Sequence, residues 1–286
     1  TMSSTIPQPP TCNVELAERV LIGFLKSETQ RIGMTKAVLG MSGGIDSALV
    51  LELAVRALGP ENVLAIALPY RESDPLSLEL AQQGASNAGC EFSVIDITPL
   101  ADAYFEQHPE LANGEMETAR LRRGNVFSRL RMTALYDQSA AVNGLVFGTS
   151  NKTELLLGYG TQHGDMASAI NPIGDLYKSQ VVALSCHLGV PSAIIDRPPS
   201  ADLWQGQTDE EELGFSYDAI DALLHAMVEQ RLNRDALVAL NFAPEFIDLI
   251  SARVQRNQYK RRPPLIAKVT GRTINLDYRY ARDWGS

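Results

Sequence analysis

Leu39-Gly40-Met41-Ser42-Gly43-Gly44-Ile45-Asp46-Ser47-Ala48 sets two adjacent glycines and two hydroxyls between an apolar strand and an apolar helix. Residues 35–40 (TKAVLG) read as a short buried strand, and residues 48–58 (ALVLELAVRAL) as a helix packed on a sheet. A turn that must aim backbone N–H groups into one concavity at a helix N-terminus needs residues without a Cβ, and Gly43 and Gly44 supply them. Ser42 and Ser47 add hydroxyl donors. Asp46 has the wrong charge to touch phosphate and the right one to hold a Mg2+ ion that does. The loop points to a Mg-nucleotide rather than to free phosphate.

Outward from this loop, residues 63–68 (VLAIAL), 91–97 and 144–148 (GLVFG) read as further strands. Residues 13–31, 75–88, 115–142 and 178–188 read as helices. Such alternation builds βαβ units, hence a parallel sheet with helices on both faces and ligands at the carboxyl ends of the strands. The expected fold is a single-domain α/β protein over residues 13–286, preceded by a flexible N-terminal arm, 1–12, rich in Pro and Ser. Residues 149–178 are rich in Gly, Asn, Thr and Asp with little periodicity, the composition of a functional loop with short helices. Residues 197–213 are again irregular, and 216–257 return to helices.

With 286 residues, 45% of them hydrophobic, the chain has ample core material. Cys12, Cys90 and Cys186 are scattered and odd in number, which indicates neither a disulfide framework nor a zinc cluster and predicts reduced thiols. No apolar run reaches the length of a membrane span and no charged-then-apolar leader opens the sequence. The expectation is a soluble, cytoplasmic protein. A net charge of −9 argues against a nucleic-acid partner, which a basic face would attract. His108, His163, His187 and His225 show no partner pattern and there is no nucleophile elbow, which excludes a serine hydrolase, and the same scatter of ligands argues against a zinc enzyme.

The glycine loop lacks the Gly-Lys-Ser/Thr ending of a Walker A motif. It resembles the Ser-Gly-Gly-x-Asp-Ser signature of the PP-loop family, the N-type ATP pyrophosphatases with the adenine nucleotide alpha hydrolase-like fold. In that family the loop grips the β- and γ-phosphates while the α-phosphate is attacked, and AMP and pyrophosphate leave. A second segment, Gly148-Thr149-Ser150-Asn151-Lys152-Thr153-Glu154, follows the fourth strand as the glycine loop follows the first. Two strand ends therefore face one crevice. Alone, Glu154 reads as a solvated helix acid; at this crevice it reads as a second carboxylate beside Asp46, the usual complement for Mg2+ that also touches phosphates.

Further along, Gly158-Tyr159-Gly160, Gly164-Asp165, Asn171-Pro172 and Tyr177-Lys178-Ser179-Gln180-Val181 follow in order, then Pro199-Ser200-Ala201-Asp202-Leu203 and Gln207-Thr208-Asp209-Glu210-Glu211-Glu212-Leu213-Gly214. This succession resembles the NAD synthetase family over residues 14–282. The resemblance implies a two-step reaction: the nicotinate carboxylate of deamido-NAD attacks the α-phosphate of ATP, and ammonia then displaces AMP. It implies ATP contacts at Gly40, Ser42, Gly43, Gly44, Asp46, Ser47, Thr149, Lys178 and Ser200, and Mg2+ on Asp46 and Glu154. It implies catalytic roles for Asp46, Glu154, Lys178 and Asp165, with Lys178 neutralising phosphate charge and Asp165 near the reacting carbonyl. Deamido-NAD falls to Asn125, Arg129 and Glu212, at the interface of a homodimer.

Two departures qualify this match. Position 169, an acid in many ammonia-using members, is Ala here. That difference and Lys260-Arg261-Arg262-Pro263-Pro264 look more like the synthetase domain of glutamine-dependent enzymes. None of the three cysteines sits in a glutaminase setting, so free ammonia is the expected donor, with a separate glutaminase left open. The basic run 260–262 reads either as a cover over anionic ligands or as a solvated turn. The competing readings are another PP-loop amidating ligase such as the synthetase part of GMP synthetase, and a nucleotide sensor without turnover; retention of Asp46, Glu154 and Lys178 speaks against the sensor.

Overall fold

The computed structural model describes residues 7–112, 117–199, 209 and 213–274. Among them the elements run α1 (Val14–Arg31), β1 (Lys36–Gly40), α2 (Ile45–Leu58), β2 (Val63–Ala67), α3 (Pro75–Ala88), β3 (Glu91–Val94), α4 (Thr98–Glu106), α5 (Pro109–Ala112) and α6 (Glu117–Val142). They continue with β4 (Gly144–Val146), α7 (Lys152–Leu157), α8 (Lys178–Leu188), α9 (Ser192–Ile195), α10 (Tyr217–Val228), α11 (Arg234–Ala239), α12 (Pro244–Arg256) and a 3-10 turn, Gln258–Arg261. The four strands form one parallel sheet in the order β3-β2-β1-β4. The chain leaves β1 toward β2 and β3, then returns to place β4 on the other flank of β1. The order thus switches between β1 and β4, where a crevice opens at the carboxyl ends.

Side-chain alternation assigns the two faces. Ala37 and Leu39 of β1, with Val63, Ala65 and Ala67 of β2, pack into one core with α1, α2, α3 and α8. Val38, Leu64 and Ile66 point the other way, against Ala101 and Phe105 of α4 and Phe127 of α6. Helix α2 lies between the sheet, α1 and α8, which is why it is apolar nearly all round; Leu49, Leu51 and Leu53 are fully buried. Each such leucine contributes about 1.5–3 kcal/mol of burial. A third cluster joins Leu157, Tyr177 and Tyr217 to Ile220, Leu223, Phe246 and Ile250 of the C-terminal helices, beyond the β4 side.

Three of the boundaries that differ from the sequence reading have a physical cause in the structure. Helix α2 starts at Ile45, because Gly44 in extended geometry serves as its N-cap; Asp46 and Ser47 belong to its first turn. An acid there is favoured by the helix dipole. Strand β3 stops at Val94 rather than 97: Ile95 and Ile97 still donate to the carbonyls of Ala67 and Pro69, but Pro69 has no N–H to return. Strand β4 ends at Val146, and Phe147 bridges to Ile170 while its N–H donates to Val38. Of the N-terminal segment, the carbonyls of Pro10 and Thr11 accept from Ser179 Oγ and Gln180 Nε2.

Candidate active site

The glycine loop closes on itself before it meets anything else. Ser47 Oγ donates to the Gly44 carbonyl at 2.9 Å, the Gly44 N–H donates to Ser42 Oγ at 3.2 Å, and the Ser42 N–H reaches Ser47 Oγ at 3.4 Å. Gly43 is the residue this geometry demands: its φ of +76° is left-handed, and a Cβ there would lie 2.3 Å from the Ser77 carbonyl at the start of α3. On the far side of that contact Arg197 donates to Asp74 and Ser77 at 2.9 Å each, tying the end of α9 to the same helix start.

The second strand end brings Asn151, whose side chain accepts from the Glu154 N–H at 3.0 Å while Glu154 Oε2 accepts from the Asn151 N–H at 3.2 Å. This capping box fixes Glu154 on the first turn of α7. The same Asn151 donates Nδ2 to Asp46 Oδ1 at 2.9 Å, so one amide holds both loops together. Lys178, first residue of α8, sends Nζ into the space between: 2.5 Å from Asp46 Oδ2 and 3.7 Å from Glu154 Oε1, over the ring of Tyr217. Its side chain is 5% exposed, so the ammonium is held by these carboxylates rather than by water.

Electrostatics follow from that crowding. Burial, joined by the charge of Asp46, pushes the Glu154 carboxyl up to about 8 against the pull of Lys178 and the bond from Asn151. Burial pulls the Lys178 ammonium down, but Asp46 and Glu154 outweigh it and hold the ammonium above the usual lysine range. Burial also raises Asp209, opposed by Lys178 and by hydrogen bonds from Tyr159 and Tyr217 at 2.9 and 3.0 Å. Three carboxylates thus crowd one lysine, a site short of positive charge. No group of three or more His, Cys, Asp or Glu forms a complete cation cage among the described residues. Asp46 and Glu154 fit a hard divalent ion whose remaining ligands are phosphate oxygens and water.

A cavity of about 820 Å³ opens over this centre, lined by Gly40, Ser42, Gly44, Asp46, Ser47, Thr149, Glu154, Asp165, Lys178, Asn125 and Arg129. Asp165 Oδ1 accepts from Ser128 Oγ at 2.6 Å and from the Thr161 N–H at 2.8 Å, which pins the 158–165 turn to α6. Asn125 Oδ1 accepts from Thr161 Oγ1 at 2.9 Å, and Arg129 donates to the Gln162 carbonyl at 3.3 Å. The structure therefore gathers Asp46, Glu154 and Lys178 at one point and places Asp165, Asn125 and Arg129 on the cavity wall. Ser200 and Glu212 lie outside the described residues. Sequence reasoning assigned no role to Asn151, Thr153, Tyr159, Asp209, Tyr217 or Asp221; of these, only the Asn-x-x-Glu capping box carried a local signal.

The basic run divides between its two expected places: Lys260 stands on the wall of the same cavity and Arg262 is exposed, while Lys260 and Arg261 also bond backbone carbonyls. Lys260 Nζ donates to the carbonyls of Gly158 and Gly160 at 2.8 Å, and Arg261 Nη1 to those of Leu155 and Leu156 at 3.1 and 2.7 Å. Asn257 adds the Leu157 carbonyl at 2.9 Å. Cations at a helix C-terminus satisfy carbonyls that have no partner within the helix. We expect Arg261→Gln to lower stability by about 1–3 kcal/mol, seen as a lower urea midpoint; an unchanged midpoint would show that water replaces the clasp.

Known proteins extend the geometric picture to the whole chain. The NAD synthase family pattern matches residues 17–264. An NH(3)-dependent NAD(+) synthetase of Trichlorobacter lovleyi is 58% identical over 273 residues, 96% of this chain and 97% of that protein. Among solved structures, the NH3-dependent NAD synthetase of Campylobacter jejuni, in complex with the nitrate ion, superposes with a TM-score of 0.74 at 36% identity, covering 90% of this chain and 100% of that one. NMN synthetase from Francisella tularensis superposes at 0.77 with 30% identity, covering 90% and 99%. The likeness takes in both strand-end loops and the helices behind them, not the glycine loop alone, and on that extent the chain belongs to the NAD synthase family.

Proposed function

We propose that this chain amidates deamido-NAD to NAD, consuming ATP and ammonia and releasing AMP and pyrophosphate, the last step of NAD biosynthesis. The observation that carries the reading is the meeting of Asp46, from the loop after β1, with Glu154, from the loop after β4, on the buried Lys178 Nζ beside a phosphate cradle. In the first step a nicotinate carboxylate oxygen attacks the α-phosphorus of ATP and the bond to pyrophosphate breaks. In the second, ammonia adds at the carboxyl carbon, the bond to AMP breaks and the nitrogen loses a proton. Catalysis of such a displacement is chiefly positioning and charge stabilisation.

The chain's residues supply both. Ser42, Gly43, Gly44 and Ser47, with Gly40 and Thr149 on the cavity wall, hold the departing pyrophosphate, and Lys178 stabilises charge on it. Asp46 and Glu154 would hold Mg2+, which when bound neutralises phosphate charge. Asn125 and Arg129 contact deamido-NAD, and Asp165 orients the end of the site where the carboxylate reacts. The resemblance supports a homodimer, and Leu121, 63% exposed on the same helix as Asn125 and Arg129, supports an interface there. Cys12, Cys90 and Cys186 are unpaired, which supports a reduced, cytoplasmic setting. No helix among the described residues is long and apolar enough to cross a membrane.

AMP and NAD formation from Mg-ATP and deamido-NAD tests the reading, with ammonium chloride in one arm, glutamine in a second and nicotinate mononucleotide as acceptor in a third. Product with ammonia and deamido-NAD is expected. Product from the mononucleotide alone would move the acceptor to the smaller substrate, and no product from any arm would return the chain to a PP-loop ligase of another acceptor.

A further inference from the structure

Glu154 and Lys178 stand in the first turns of two different helices, and their proposed chemistry requires those turns to keep a fixed relation. Neither helix secures it alone. Helix α7 is six residues long. At the start of α8, Gln180 turns back to accept from the Tyr177 N–H at 3.0 Å, while the next two amides look outward for partners. The Lys178 N–H donates to Thr153 Oγ1 at 3.0 Å and the Ser179 N–H to Asp221 Oδ2 at 2.7 Å. Thr153 Oγ1 in turn donates to Asp221 Oδ1 at 2.5 Å. One carboxylate, contributed by α10, thereby takes a bond from α7 with one oxygen and from α8 with the other.

Thr153 and Asp221 are both fully buried, and neither lines the cavity. An ordinary helix start is capped by a Ser, Thr, Asp or Asn from its own chain segment, as α3 is by Asp74. Burying a carboxylate instead is costly unless its oxygens are bonded, and only a carboxylate offers two acceptor oxygens to donors on two separate elements. Asn at this position would present one acceptor and one donor and could not serve both.

We propose that Asp221 is a positioning residue for the reaction: acting through the Thr153 hydroxyl, it locks the first turns of α7 and α8 in register and so sets Lys178 Nζ between Asp46 and Glu154. The inference rests on the roles given to Glu154 and Lys178 under Proposed function. A misplacement of about 1 Å is enough to cost about 10²-fold in rate, so loosening this lock should reach turnover without any lost contact to substrate.

The test compares Thr153→Val, Thr153→Ser, Asp221→Asn and Lys178→Ala in the ammonia-dependent assay, at a temperature where each variant is fully folded by circular dichroism. Thr153→Val keeps the volume and removes the hydroxyl; its kcat is expected to fall about 10- to 100-fold with KM for ATP changed by less than about threefold. Thr153→Ser, which keeps the hydroxyl, is expected to restore kcat to within about threefold of wild type. If Asp221→Asn fails to fold, the Val and Ser pair still decides the matter. Loss of turnover in Lys178→Ala with wild-type kcat in Thr153→Val would overturn the positioning role alone. Wild-type kcat in Lys178→Ala would overturn the site reading and the positioning role with it.

Discussion

Asp46→Asn should slow pyrophosphate release from ATP and deamido-NAD by about 10³-fold, about 4 kcal/mol at the transition state, while the chain stays folded. The side chain keeps its size, and its remaining carbonyl can still accept from Asn151 Nδ2, now at 2.9 Å. What it loses is the charge. The amide turns a donor toward Lys178 Nζ, which today sits 2.5 Å from a carboxylate, and one of two oxygens suited to a divalent ion is gone. Lys178 retains Glu154 at 3.7 Å, so the ammonium is not left buried without any partner and the fold is expected to survive. Glu154→Gln acts in the same direction, and there the capping bond to the Asn151 N–H can persist through the amide carbonyl. Pre-steady-state measurement of pyrophosphate separates adenylation from the ammonia step. Near wild-type release by either variant would overturn the metal role assigned to the pair.

The second large effect is expected from one methyl group. Gly43→Ala places a Cβ 2.3 Å from the Ser77 carbonyl oxygen and 3.0 Å from the Ser77 carbonyl carbon and Cα, all backbone atoms that no rotamer change can move. It also asks an L-residue to keep a φ of +76°, which costs about 1–2 kcal/mol by itself. Either the glycine loop or the start of α3 must shift by an ångström or more, and kcat/KM for ATP is expected to fall by at least about 10²-fold. Gly23→Ala in α1, where an added Cβ would meet nothing within 4 Å beyond the helix's own backbone, provides the control: it should gain about 0.5–1 kcal/mol of stability and leave turnover unaltered. Equal ATP kinetics for Gly43→Ala and wild type would show that the loop contact with α3 does not set the nucleotide site.

The readability of the site in the sequence varied with the range of each interaction. Gly43 and Asp46 were legible because a strand, a Cβ-free turn and a helix start lie within a dozen contiguous residues, and local backbone demands select the residue types. Glu154 was legible by a longer step, from the rule that parallel strands open their loops on one edge. Asn125 and Arg129 were not legible from spacing: two polar residues four apart share a face on any helix. The resemblance singled them out, and the cavity wall is where they stand. The run Lys260-Arg261 was legible only in part: Lys260 stands on the cavity wall, but no local pattern showed that both side chains also bond backbone carbonyls at and beyond the end of α7.

By itself, then, the sequence determined the order of strands and helices, the glycine loop, and the family, since each rests on periodicity and motif within short windows. Only the tertiary structure decided which groups meet. Asn151 and Asp46 are 105 residues apart, Lys178 and Asp46 are 132, and Thr153 and Asp221 are 68. The physical reason is the architecture: parallel neighbours are joined by crossovers of a helix or more, so residues that share a strand-end crevice are distant along the chain. Their pairing is set by sheet order and helix packing, and no local pattern records it.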